Sequence, residues 1–232
     1  LPEDEYRRLA GQVPAGFTFL VKAPQSLTAP LRHESRGPVG GHLDPGAARD
    51  LFVGPCLAGL GACAGPLVFQ FPPQGRAATR EPAAFAARLA ALLAGLPRGP
   101  IYAVEFRDRE LLAPEVMRAL ESAGARLCLG VHARMPPVAM QAAAATALGR
   151  GPLVIRWNLH AGFAAEEGRA HPAPFDRLVD EDPATRTAIA ALAREAAGRG
   201  DPAWIIVNGR AEGSAPLTLE RLSRAIVDPG RA

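Results

Sequence analysis

The sequence predicts an α/β protein of the TIM-type (β/α) barrel class, with parallel strands alternating with helices. Three observations predict it. Six short apolar runs alternate with Ala-, Leu- and Arg-rich stretches of helical period, and Gly, Pro or Asp stands at most junctions. The runs show little apolar/polar alternation, as strands of a parallel sheet covered on both faces should. Their few polar residues sit toward the C-terminal ends, the face on which parallel α/β proteins bind ligands.

Taken in order, the strands are expected over 17–22, 66–71, 101–106, 126–131, 153–157 and 203–208, and the helices over 45–64, 82–94, 114–123, 138–148, 183–198 and 216–227. Helix starts are marked by Pro in the first turn: Asp44-Pro45, Glu81-Pro82, Ala113-Pro114 and Asp182-Pro183. The two Asp are the better caps, because a short carboxylate reaches the free N–H groups of the first turn. Gly124 and Gly198 read as C-terminal stops. The long irregular connection over 160–180 is of the kind that carries function. With 232 residues, 48% of them apolar, the chain can bury a sizeable core, and 1–232 reads as one barrel domain.

Composition narrows the function classes. No window approaches the roughly 18 to 20 unbroken apolar residues of a membrane span. The opening LPEDEYRRLA has neither a basic nor an apolar leader segment, so a cytoplasmic location is expected. Cys56, Cys63 and Cys128 form no CxxC pair and are expected as small buried hydrophobes. The five histidines show no HxxxH or HExxH spacing, so no metal site is expected, and no cofactor can be named. A net charge of +3 arises from evenly scattered arginines, which does not call for nucleic acid.

The polar strand-end residues are Lys22, Gln70, Glu105 with Arg107, Arg156 with Asn158 and His160, and Asn208. Alternation puts Glu105 and Arg107 on one face, with Val104 and Phe106 on the other. It likewise sets Arg156, Asn158 and His160 opposite Ile155, Trp157 and Leu159. Three cations, Lys22, Arg107 and Arg156, then meet one carboxylate, Glu105, and a ligand anion would balance them. Lys22 is the only lysine beside twenty-five arginines, a sign that its ammonium matters, with chance survival as the bland alternative.

The strings GFTFLVKAP, GPLVFQFPP, YAVEFRD, VIRWNLHAG and WIIVNGRAEGSAP resemble the successive motifs of the YecE-like family, domain of unknown function 72, over about 13–222. The resemblance implies a TIM barrel and carries Lys22, Gln70, Glu105, Arg107, Arg156, His160 and Asn208 as pocket-forming positions. It implies no established reaction. The sequence departs from the family pattern at Ala29, where a His usually follows Thr28, with His33 nearby, and at Asp108 and Leu111, near the usual His and Trp. The resemblance also implies two further βα units, on the order of 40 to 50 residues, upstream of Leu1.

The expected function is that of an enzyme acting on a small anionic molecule. Lys22, Arg107 and Arg156 would hold phosphate, sulfate or carboxylate oxygens; Gln70, Asn158 and Asn208 would join them in binding. Glu105 and His160 are the candidate general base and acid, and Lys22 is a candidate Schiff-base nucleophile. The plain alternatives are an internal Glu105–Arg107 salt bridge and a structural His160. A noncatalytic metabolite-binding or regulatory barrel competes with the enzyme. Nucleic-acid processing stands third, against it the lack of clustered metal-binding carboxylates or histidines. Gly209, Gly213 and Ser214 are weighed as phosphate donors at a helix start against an ordinary βα turn, and Trp157 is expected to pack against a helix rather than stack on a ligand.

Overall fold

The computed structural model describes residues 1–30, 41–159 and 174–228. Six parallel strands run in chain order and alternate with helices, the TIM-type (β/α) arrangement. They are β1 (Phe19–Lys22), β2 (Ala64–Phe71), β3 (Tyr102–Phe106), β4 (Arg126–Val131), β5 (Leu153–Trp157) and β6 (Ala203–Val207). The helices are α1 (Glu3–Ala10), α2 (Gln25–Thr28), α3 (Pro45–Ala48), α4 (Gly54–Leu60), α5 (Arg76–Arg80), α6 (Pro82–Ala94), α7 (Pro114–Ser122), α8 (Val138–Ala144), α9 (Pro183–Gly198) and α10 (Ala215–Val227). Among the described residues, no helix is long and apolar enough to cross a membrane.

The punctuation in the sequence is what sets these ends. Asp44 accepts from the Ala47 N–H at 2.6 Å and Asp182 from the Thr185 N–H at 2.9 Å, whereas Glu81 and Ala113 make no side-chain cap. Gly124 turns left-handed (φ 64°) and stops α7 as expected. Gly198 does not act as the stop of α9: it is the last helical residue, and the left-handed turn falls at Gly200 (φ 73°). The expected helix over 45–64 is shorter and compound, with a π-type turn (Arg49–Val53) between α3 and α4, and β2 begins at Ala64. The short helices α2 and α5 have no counterpart among the expected elements, and neither has α1. Its Tyr6 is buried against α4, where a Cβ on Gly59 would stand 2.4 Å from that of Tyr6.

The chain forms two compact units, Leu1–Leu127 and Cys128–Ala232. In the first, the β2–β3 register pairs Phe69 with Val104 and Phe71 with Phe106 on the face turned to the helices. Phe85 of α6 closes a ring cluster there, with centroids 5.4 Å from Phe71 and 6.1 Å from Phe106. Each such buried ring stabilises the fold by about 1.5–3 kcal/mol. In the second unit, Ile155 and Trp157 of β5 are fully buried together with Ile189 and Ala190 of α9. That agrees with the parity expected of Trp157.

Candidate functional site

The register of the first unit sorts the polar strand-end residues. Lys22 is paired with Val68, and Gln70 with Glu105, so Lys22, Gln70, Glu105 and Arg107 fall on one side, opposite the phenylalanines. Glu105 is wholly buried, Arg107 is largely buried, Gln70 is partly covered, and Lys22 is exposed. The Arg107 guanidinium lies 2.7 Å from Glu105 Oε1, so the internal salt bridge foreseen as the plain alternative is formed. Lys22 Nζ donates to the carbonyl of Ala23 at 3.4 Å.

Beyond these strand ends lies a polar network without a separate sequence signal. Gln74 spends both amide hydrogens on the carbonyls of Thr28 (3.1 Å) and Pro72 (2.5 Å), and its own backbone N–H donates to Asp108 Oδ2 at 2.7 Å. Gln74 Oε1 must therefore accept from His42 Nε2, 3.0 Å away. Arg88 donates to the His42 carbonyl (3.3 Å) and lies 3.4 Å from Nδ1. Burial, with the nearby Arg88 charge, pushes the His42 pKa below its ordinary value, against the opposing Gln74 hydrogen bond. Ala29 and Leu111 are buried here, and Asp108 anchors the β2 loop through Gln74. His33 lies outside the described residues, and His42 is the imidazole found at this rim.

The second unit has its own strand-end set. Gly130 pairs with Arg156, and Arg156 with Ile206, so Arg156 and Asn158 share a side with Asn208. Asn208 Oδ1 accepts from the Arg210 N–H at 3.0 Å, which ties that oxygen to the turn and leaves the amide nitrogen for other contacts. Asn158 Nδ2 is buried and has no hydrogen-bond partner among the described residues. His160 lies outside the described residues.

Two residues missing from the sequence candidates belong here. His132 follows β4 and continues the alternation of Cys128 and Gly130. It carries the same signal, a polar residue just past a strand, that selects the others. Gln141 of α8, nearly unexposed, grips Gly130 from the side: Oε1 accepts the Gly130 N–H at 3.0 Å, while Nε2 donates to the carbonyls of Gly130 (2.9 Å) and Pro136 (2.7 Å). The amide thus replaces a strand in the ladder.

The phosphate-loop reading of Gly209, Gly213 and Ser214 is corrected. A Cβ on Gly213 (φ 107°) would lie 2.5 Å from the Arg177 carbonyl oxygen, and one on Gly209 would lie 3.0 Å from the Phe175 ring. Chain fills the space where a phosphate would approach. The Gly213 N–H donates to Gly209, and Ser214 is buried. Between the two glycines, fully buried Glu212 accepts from the Asp182 N–H at 2.7 Å and from Arg186 at 2.6 Å, and Arg186 and Arg221 both reach Glu181. A cavity of about 780 Å³ opens between α9 and α10 beside Arg186, Arg221 and Arg224. Each of those guanidinium groups is already committed to Glu212, Glu181 or Glu220.

Cys56 and Cys128 are buried and in no disulfide, and burial pushes Cys56 up to about 11, which fits inert packing. Among the described residues, no group of three or more His, Cys, Asp or Glu could hold a metal ion.

Residues 1–231 match the family model described as "Protein of unknown function DUF72". The chain belongs to the DUF72 family. Two solved DUF72 structures share the fold. One, from Enterococcus faecalis V583, is 13% identical with a TM-score of 0.65, over 98% of this chain and 80% of that one. Another, from Thermotoga maritima MSB8, is 16% identical with a TM-score of 0.58, over 97% and 80%. No curated protein matches. DUF72 membership thus fixes the fold and leaves the chemistry to the residues themselves.

Proposed function

We propose that this DUF72 chain is an enzyme acting on a small molecule that carries phosphate, sulfate or carboxylate oxygens. The observation behind the reading is the β1–β2–β3 register, which lines Lys22, Gln70, Glu105 and Arg107 along one side at the strand ends. Lys22 and Arg107 both present N–H donors that suit the oxygens of an oxyanion. Gln70 orients the ligand, and Glu105 serves as general base when the ligand draws Arg107 onto itself. Lys22 holds oxygen as an ammonium and is the candidate nucleophile. In the second unit Arg156, Asn158 and Asn208 offer the same donor chemistry, and His160 keeps the role of general acid expected from the sequence.

The test is a metabolite-pool incubation followed by mass spectrometry, with calorimetric titration of phosphate and sulfate in parallel. Wild type should consume a compound and Glu105→Gln should leave it, while Lys22→Met and Arg107→Met weaken anion binding. Consumption of nothing, together with no anion bound, would end the reading. The 2.7 Å Glu105–Arg107 contact favours a second one, a noncatalytic metabolite-binding protein in which the pair is permanent. In that case a ligand is retained and recovered unchanged.

A further inference from the structure

Three observations in the first unit meet at the turn over 41–44. First, the neutral form of His42 has one tautomer. Both amide hydrogens of Gln74 go to the carbonyls of Thr28 and Pro72, so Gln74 Oε1 accepts and His42 Nε2, 3.0 Å away, carries the proton. That leaves Nδ1 with its lone pair. Second, the exposed Arg88 of α6 presents Nη2 to that lone pair at 3.4 Å and to the His42 carbonyl at 3.3 Å. Third, Leu43 has a buried side chain on a left-handed backbone (φ 56°), a conformation that a bulky residue keeps only where its surroundings hold it. Its N–H donates to the Leu27 carbonyl at 3.0 Å, and the Asp44 N–H closes the turn on the Gly41 carbonyl at 3.0 Å.

We propose that His42 and Arg88 form a proton-operated latch: a proton taken up at His42 Nδ1 releases Arg88 and unties the 41–44 turn from α6, while Gln74 keeps its hold on the ring. A protonated ring offers N–H at both nitrogens, so Nδ1 stops accepting and presents a second positive charge to the guanidinium. Arg88 turns to water and gives up the His42 carbonyl as well. The Nε2–H bond to Gln74 survives, because Oε1 accepts from either form of the ring. Arg88 is the only charged side chain on α6, and α2 and α3 carry no titratable side chain. Asp108 is joined to the ring through Gln74, and Asp44 Oδ1 accepts from the Ala47 N–H. Burial and the Arg88 charge lower the His42 pKa against the Gln74 hydrogen bond, so the latch is closed at neutral pH. The device lies in the turn itself and is independent of what the strand ends bind.

The experiment uses the full chain, labelled with ¹⁵N, between about pH 8 and pH 5. Long-range ¹H–¹⁵N spectra follow the His42 ring, whose signal is the one lost in His42→Gln. Amide exchange at Leu43 and Asp44 is expressed as protection, so that the ordinary pH dependence of exchange cancels. The neutral ring should carry its proton on Nε2. As the ring takes up its second proton, protection at both amides should fall about threefold to tenfold, the loss of exposed hydrogen bonds, while Ala23, bonded to Val68, stays protected. In Arg88→Met, a change at an exposed position, the two amides should be less protected at the upper end of the range and indifferent to the titration. The ring should then titrate at a higher pH, its like-charged neighbour gone. A neutral ring protonated on Nδ1, protection unmoved by the titration, or the same loss in Arg88→Met as in wild type overturns the latch. None of these outcomes bears on the anion reading, which Lys22→Met and Arg107→Met test separately.

Discussion

Replacing Gln141 by methionine removes an amide without emptying its space. The side chain is nearly unexposed, and the two buried hydrogen bonds it makes to Gly130 have no substitute, since methionine offers neither a donor nor a strong acceptor. A buried backbone group left unsatisfied costs about 1–3 kcal/mol, so the Gly130 N–H and C=O together lose roughly 2–6 kcal/mol. The Pro136 carbonyl, in a part-buried bond, adds less because water can reach it. Against a typical total stability of about 5–15 kcal/mol, the change is large. Urea unfolding followed by circular dichroism measures it, with the exposed Gln12→Met as the control expected to shift by less than about 0.5 kcal/mol. Amide exchange at Gly130 should accelerate in parallel. A Gln141→Met protein as stable as the control, with Gly130 exchange unchanged, would refute the claim that this amide stands in for a strand.

Other predictions follow from the same contacts. Glu105→Gln leaves Arg107 largely buried opposite a neutral amide, and should lower stability by about 3–5 kcal/mol in urea unfolding; a loss near zero would mean that water screens the pair. Gly213→Ala combines a positive φ with a Cβ 2.5 Å from the Arg177 carbonyl oxygen and should destabilise, whereas helical Gly198→Ala, where nothing lies within 4 Å, should not; equal thermal midpoints would contradict the packing. Gly59→Ala must push α1 away from α4 and should cost about 1–3 kcal/mol, read by loss of the Tyr6 environment in near-ultraviolet circular dichroism. For His42, the folded pKa lies below the ordinary 6.5, so near and below that pH the unfolded chain binds more protons than the folded one. Its contribution is complete above the unfolded pKa and declines as the pH falls through it. His42→Gln should flatten the dependence of the urea midpoint between pH 7 and pH 5, and a steeper dependence in the variant would reverse the sign.

Much of the scaffold was legible because its signals are local. Pro and Asp at a helix start act through the first-turn N–H groups a few residues away, so Asp44 and Asp182 could be read directly. Apolar runs between breakers gave the six strands to within about two residues, the usual uncertainty of an element boundary. Strand alternation also foretold that Glu105 and Arg107 share a side and that Trp157 is buried. The α4 contact that holds α1 was hidden, because α1 is amphipathic only with respect to a partner more than forty positions away.

What the sequence determined by itself was the order and kind of the elements, the side of each strand on which its polar residues stand, and membership of DUF72. Register, partner and available space belonged to tertiary structure. Only the folded chain puts Gln70 beside Glu105, gives Gln141 the backbone of Gly130, and lays the Arg177 carbonyl against Gly213 where a phosphate loop had been weighed. The physical reason is range: capping and alternation are set by bonded neighbours, whereas hydrogen-bond partners and excluded volume depend on segments that meet only after the backbone has paired.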